Sequence, residues 1–113
     1  MNAVLLTSDL TVVSHVDGAA VRTGSTVRTV SDPADAIQRC ASEPVDLVVV
    51  DLGMPSLELA ALVESIKATT SAPRVVAFGP HVHTERLAAA RDAGCNAVMS
   101  RGQFFANTDA VLR

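Results

Sequence analysis

The sequence predicts an α/β fold: a single doubly wound, five-stranded parallel sheet in the order 2-1-3-4-5, with helices on both faces. The first observation is the apolar run Leu47–Val50, which ends on Asp51. The run is short and valine-rich, which is typical of a strand buried on both faces. Second, five strand-like segments alternate with five helical patterns, and parallel strands need such crossovers. Third, right-handed crossovers around a central third strand favour this order.

The first strand, first helix and second strand are predicted from the spacing of apolar residues. Val4–Leu6 is a short apolar strand. Leu10–Val21 has apolar residues at 12, 13, 16 and 20, a helical spacing, although Gly18 weakens the pattern. Thr26–Val30 is β-branched and alternating, which indicates the second strand.

The second helix has a clear start signal. Asp32 is the expected N-cap, Pro33 suits the first helical position, and Asp35 lies near the positive end of the helix dipole. The pair Glu43–Pro44 ends the helix just before the central strand. The predicted buried face consists of four residues: Ala36, Ile37, Cys40 and Ala41.

The third helix is expected directly after the central strand. Pro55 cannot continue a sheet and suits the first turn of a helix. The helix is predicted to end near Thr69. Its apolar residues recur at i, i+3, i+4 and i+7, an amphipathic pattern formed by Leu59, Leu62, Val63 and Ile66.

The fourth strand is the apolar segment Val75–Phe78. Thr84 can cap the helix that follows, which runs to Ala93, and Gly94 is the expected stop signal.

The fifth strand is Ala97–Met99, followed by a turn at Arg101–Gly102 and a short final helix, Phe104–Arg113. We expect Phe104, Phe105 or both to fill the edge of the core near the fifth strand, although an exposed partner surface is the alternative.

Composition limits the function classes. The 113 residues predict one domain, 1–113, and carry a net charge of −3 with no basic stripe, which argues against nucleic-acid binding. No apolar stretch approaches the roughly 20 residues of a membrane span, and no signal peptide is visible, so we expect a cytoplasmic protein with no membrane partner. Cys40 and Cys95 are expected to be reduced thiols.

The carboxyl ends of parallel strands meet at one edge of a sheet, where ligands bind in such folds. An enzyme would need a nucleophile with a base, or a glycine-rich phosphate loop after the first strand, and the sequence Thr7–Leu10 has no glycine. We therefore expect no enzymatic activity. The predicted edge gathers Thr7, Ser8, Asp9, Asp51, Gly79 and Arg101.

Histidines give little support for a metal site. His81 and His83 form an i, i+2 pair in a loop and could bind a metal with Asp9 or Asp51, but no third ligand has a diagnostic spacing. Solvated loop histidines are the simpler interpretation. His15 is predicted to lie on a polar helix face, with no role.

Two segments of the chain are distinctive: SDPADAIQRCASEPVDLVVVDLGMP (Ser31–Pro55) and AARDAGCNAVMS (Ala89–Ser100). Both resemble the receiver domain of bacterial response regulators. The first is similar to that family's helix, strand, phosphoacceptor aspartate and Met-Pro turn, and the second is similar to its helix end, Ala-Gly turn and fifth strand. The resemblance covers nearly the whole chain and implies a flavodoxin-like receiver fold.

The resemblance assigns Asp51 as the candidate phosphoacceptor, and Gly53 lies in the matching turn. The other matched positions depart from the family. Its two metal-binding acids fall on the neutral Thr7 and Ser8, and Asp9 lies one place later. Its hydroxyl residue after the fourth strand, its lysine, its cis-proline and its aromatic switch residue fall on Gly79, Arg101, Gly102 and Val98.

These departures predict a degenerate receiver, which acts as a protein-interaction module without Mg²⁺ or phosphorylation. Magnesium usually needs one or two carboxylates, and only Asp51 remains of the family's three. Arg101 is then expected to be the ion-pair partner of Asp51. Asp51 would otherwise cap the turn that follows it. The alternative is a working receiver, in which Asp9 and Asp51 hold Mg²⁺ and a histidine kinase phosphorylates Asp51.

The expected partners follow from the same resemblance. They are a signalling protein or a histidine kinase, and a homodimer could form through the fourth helix, fifth strand and fifth helix.

Overall fold

The computed structural model describes residues 1–113 as a five-stranded parallel sheet with five helices. The strand order is β2-β1-β3-β4-β5, which confirms the predicted topology. The elements, in chain order, are β1 (Asn2–Leu6), α1 (Leu10–Thr23), β2 (Thr26–Val30), α2 (Pro33–Ser42), β3 (Leu47–Asp51), α3 (Leu59–Lys67), β4 (Arg74–Gly79), α4 (Thr84–Asp92), β5 (Ala97–Ser100) and α5 (Arg101–Val111).

Strand β3 lies at the centre of the sheet, and all five of its residues are buried. Its side chains alternate between two cores. Val48 and Val50 belong to the core that α2, α3 and α4 cover, whereas Leu47 and Val49 belong to the core under α1 and α5. This two-sided burial explains why the strand is an unbroken apolar run.

Aspartate side chains cap the first two helices. Asp9 caps α1 by accepting the backbone N–H of Thr11 at 2.8 Å. Asp32 caps α2 in the same way, at 2.9 Å from the nitrogen of Ala34, and Pro33 opens that helix as predicted.

Three element boundaries differ from prediction. Pro55 does not open α3, which begins at Leu59, because residues 55–58 form an irregular turn in which Ser56 has φ 57°. Thr84 is the first residue of α4 rather than its cap. Arg101 and Gly102 are helical rather than a turn, because Ser100 and Gln103 form a capping box at the start of α5.

The aromatic residues of α5 have different environments. Phe104 is fully buried and stacks on Phe78 with ring centroids 4.3 Å apart, so the expectation that one of the two residues fills the core is confirmed. Phe105 is half-buried. The thiols of Cys40 and Cys95 are free, and burial raises the pKa of each. None of the helices has the length and apolar character to cross a membrane.

Candidate functional site

The carboxyl edge of the sheet brings together the ends of β1, β3, β4 and β5. Thr7 directly follows β1, Asp51 ends β3, Gly79 ends β4, and Arg101 directly follows β5. The topology therefore places these four predicted residues at one edge, on four adjacent strands.

The carboxylate of Asp51 lies at the centre of this edge and is only 4% exposed. Its Oδ2 accepts a hydrogen bond from the hydroxyl of Thr7 at 2.7 Å. Its Oδ1 accepts the backbone N–H of Gly53 at 2.8 Å, so the carboxylate caps the turn after β3. Both oxygens are thus bound by donors of the chain itself.

Gly53 permits this close approach of the backbone to the carboxylate. A Cβ added at position 53 would lie 3.0 Å from Oδ1 of Asp51, closer than ordinary van der Waals contact. A residue with a side chain would therefore have to shift the turn or the carboxylate.

Arg101 does not bind Asp51, so the expected ion pair is wrong. Its Nη2 donates instead to Oδ2 of Asp9 at 3.0 Å, and its guanidinium lies 4.9 Å from the centre of the Phe105 ring. The physical reason is that Asp51 is more deeply buried than Arg101. Asp51 is buried beneath the edge, whereas Asp9 and Arg101 are each more than a third exposed and meet above it.

The carboxylate of Asp9 binds both the start of α1 and Arg101. Its Oδ1 accepts the N–H of Thr11, and this hydrogen bond and the one from Arg101 hold the pKa of its carboxyl below the usual range. Its backbone N–H donates to the hydroxyl of Thr7 at 3.1 Å. Ser8, the other predicted pocket residue between them, is exposed and makes no side-chain hydrogen bond within the chain.

Gly79 is closely packed as well as lacking a hydroxyl. A Cβ at this position would lie 3.0 Å from the Cβ of Leu52, the residue after Asp51. Any larger residue at the end of β4 would press on the start of the loop that follows β3.

The histidine predictions have mixed outcomes. His81 and His83 are both exposed in the loop before α4, and no group of three or more His, Cys, Asp or Glu residues is placed to hold a metal ion. His15 was expected to lie on a polar helix face, but it is half-buried and contacts α5. Its Nε2 lies 3.0 Å from the carbonyl oxygen of Phe105, and its ring stacks on that residue at 4.4 Å. These contacts span 90 residues, and nothing in the helical spacing of α1 indicates them.

Comparison with known families now identifies the fold. A sequence model of the response regulator receiver domain matches residues 6–103. The chain belongs to the response regulator receiver family. This receiver domain matches no curated protein.

Solved receiver structures have the same fold at low sequence identity. The receiver domain of a sensor histidine kinase from Pseudomonas aeruginosa, described with magnesium in its active-site cleft, is 16% identical with a TM-score of 0.82, and the match covers 98% of this chain and 93% of that one. A response regulator from Hahella chejuensis is 14% identical with a TM-score of 0.84, covering 98% and 91%. The phosphorylated cyanobacterial phytochrome response regulator RcpA is 16% identical with a TM-score of 0.78, covering 97% and 89%.

Proposed function

We propose that this receiver domain acts in two-component signalling as a protein-interaction module, without magnesium-dependent phosphorylation and without enzymatic activity of its own. One observation carries the proposal: both carboxylate oxygens of Asp51 are bound by internal donors, the Thr7 hydroxyl and the Gly53 N–H. In this arrangement the carboxylate holds the edge together, joining the end of β1 to the turn after β3.

The residues at this edge do not fit a magnesium ion. Mg²⁺ needs hard oxygen ligands in near-octahedral geometry and is usually held by one or two carboxylates. The other predicted acid on this edge is Asp9, and its two oxygens are bound to the N–H of Thr11 and to Arg101. Each oxygen keeps a further lone pair, but a metal would compete with these donors for both carboxylates.

The positively charged side chain on this edge, Arg101, also has partners already. Phosphoryl transfer depends on positive charge that is placed to neutralise the oxygens in the transition state. Arg101 is paired with Asp9 and lies against the ring of Phe105, so moving it to Asp51 would break both contacts.

The positions that would transmit phosphorylation support the same proposal. Two-state signalling requires a ligand that makes different contacts in the two states. Gly79 has no hydroxyl to bind a phosphoryl oxygen, and its packing against Leu52 leaves little room for one. Val98, on β5, has no aromatic ring to change rotamer.

A phosphodonor assay tests this proposal. The purified chain is incubated with acetyl phosphate and millimolar Mg²⁺, and its intact mass is measured beside the Asp51→Asn variant and a receiver that has all three acids. We expect phosphate on the three-acid receiver and none on this chain. A mass gain in the wild type that is absent in Asp51→Asn would show that Asp51 accepts phosphate, would refute the proposal and would favour the alternative function, a receiver phosphorylated by a histidine kinase.

A second measurement addresses the metal directly. Amide chemical shifts are recorded while Mg²⁺ and beryllofluoride are added. The proposal expects no saturable shifts at Gly53 or its neighbours, and saturation at millimolar metal would contradict it.

The partner class remains a signalling protein, as the family implies. A homodimer through α4, β5 and α5 stays a prediction, which sedimentation at increasing protein concentration checks.

A further inference from the structure

A groove of about 300 Å³ lies between the loop after β3 and helix α4. Five apolar residues line it: Leu52, Met54, Leu57, Leu59 and Ala89. The polar lining consists of Ser56 and Arg86 alone. This volume is at the low end for small-molecule pockets and suits one or two side chains of a partner.

Arg86 supplies the only charge of the groove, and no carboxylate is paired with it. Its Nη1 donates to the carbonyl oxygen of Leu52 at 2.9 Å, which anchors the guanidinium at the groove. Its other N–H groups have no acceptor in the chain. The ion pairs of the chain involve four other arginines: Arg22, Arg28, Arg39 and Arg101.

The groove and the guanidinium of Arg86 together favour a ligand that is both apolar and acidic. The apolar lining favours a large aliphatic or aromatic side chain, and the free donors favour a carboxylate next to it. A basic segment would meet the like charge of Arg86 across the same edge.

We propose that this groove is the docking site for a partner protein segment in which an Asp or Glu residue lies beside large apolar side chains. The inference rests on the proposed function, because it names where the interaction module binds and the chemistry of what it binds. The groove also reaches the functional site, since Leu52 adjoins Asp51 and packs against Gly79. A docked segment would thus contact the backbone next to the acceptor position.

A peptide selection tests the docking site. The full chain is immobilised without Mg²⁺ and probed with a phage library of random dodecapeptides. Enriched peptides are expected to share an acidic residue beside at least one large apolar residue. The best peptide is then synthesised, together with a version in which each acidic residue becomes its amide.

Matched variants locate the binding. Arg86→Gln and Ala89→Glu are expected to weaken binding of the best peptide roughly 10- to 100-fold, the size of a lost hydrogen bond to a charged group. Arg91→Gln and Ala88→Glu change the same residue types at exposed positions of α4 outside the groove, and should leave the dissociation constant within about twofold. If Arg86→Gln also loosens the loop through Leu52, Ala89→Glu decides, because it keeps Arg86 and places a carboxylate in the groove that repels an acidic peptide.

The outcomes that overturn the proposal are distinct. No enrichment, enriched peptides without an acid, or equal binding by all four variants would each refute it. Self-association that Arg86→Gln abolishes would make a second copy of the chain the occupant instead, and would also refute it. Phosphorylation of Asp51 would refute the proposed function but leave the peptide result standing, so the two failures can be told apart.

Discussion

The Thr7 hydroxyl organises both acids at the edge of the sheet. It donates to the buried carboxylate of Asp51 and accepts the backbone N–H of Asp9. A buried carboxylate oxygen that loses its donor keeps the cost of leaving water without the compensating hydrogen bond. Thr7 is therefore expected to matter for stability more than its size suggests.

Thr7→Val tests this role, because valine keeps the shape of threonine and removes only the hydroxyl. We expect the free energy of unfolding to fall by about 1–3 kcal/mol, measured by urea denaturation. Thr11→Val is the matched control at an exposed position of α1, where the cost should stay below about 0.5 kcal/mol. Equal costs for the two variants would show that the hydroxyl of Thr7 contributes nothing specific.

The sequence could place residues at the edge but could not give their depth. Asp51, Asp9 and Arg101 were all expected there, and they are. Which acid meets the arginine depends on how the loop after β1 turns, and hydrogen bonds to Thr7 and Thr11 set that turn. Those hydrogen bonds produce no periodic pattern in the sequence, so the sequence could not show that Arg101 pairs with Asp9 rather than with Asp51.

At the scale of elements, the largest errors of prediction are the starts of α3 and α5, and they have different causes. Gly102 was given the turn preference of glycine, whereas Pro55 was given the preference of proline for the first turn of a helix. Gly102 is helical at the start of α5, where the capping box of Ser100 and Gln103 satisfies two of the N–H groups that lack an intrahelical partner. Pro55 could open a helix, but the positive φ of Ser56 holds the chain in a turn for three more residues.

Helix α5 is attached to the sheet mainly through Phe104. The ring of Phe104 is fully buried and stacks on Phe78, whereas Phe105 is half-buried between His15 and Arg101. Phe104→Ala is expected to lower the free energy of unfolding by about 3–5 kcal/mol, through lost burial and the cavity left behind.

Phe105→Ala is the matched comparison in the same helix. It loses a ring stack and a cation–π contact, together worth about 1–2 kcal/mol. Thermal and urea unfolding of both variants measure the difference. If both variants lost a similar free energy of unfolding, the partly exposed contacts of α5 would stabilise it as much as its buried contacts do.

At the scale of the whole molecule, the fold was predictable because a strand that is buried on both faces has a recognisable sequence pattern. The sequences of β3 and β4 contain unbroken apolar runs, and the helix between them, α3, has an amphipathic pattern. Alternation and handedness then leave few possible strand orders. The groove beside α4 could not be predicted in this way, since it depends on an irregular turn and on a long arginine side chain that bonds to a backbone carbonyl.

At the same scale, the total charge of the edge is expected to control whether the fold can hold magnesium, and introducing the family's acids tests that expectation. The double variant Thr7→Asp, Ser8→Asp places two new carboxylates beside Asp51 and removes its Thr7 donor. Like charges this close repel one another, so the variant should be less stable than the wild type at neutral pH without metal. A divalent ion that binds only the folded state should then raise its unfolding temperature in proportion to RT ln(1 + [Mg²⁺]/Kd).

Thermal unfolding with and without millimolar Mg²⁺ measures the effect. The wild type should not respond, and neither should Thr11→Asp, Ser14→Asp, which adds the same two charges at exposed positions of α1. A response confined to the edge variant would show that two added acids are enough to give this fold a magnesium site. An edge variant that does not respond to magnesium would instead indicate that other contacts prevent metal binding, chiefly the ion pair of Arg101 with Asp9 and the packing of Gly79 against Leu52. The two results therefore distinguish the missing acids from the other contacts of the edge as the obstacle to magnesium binding.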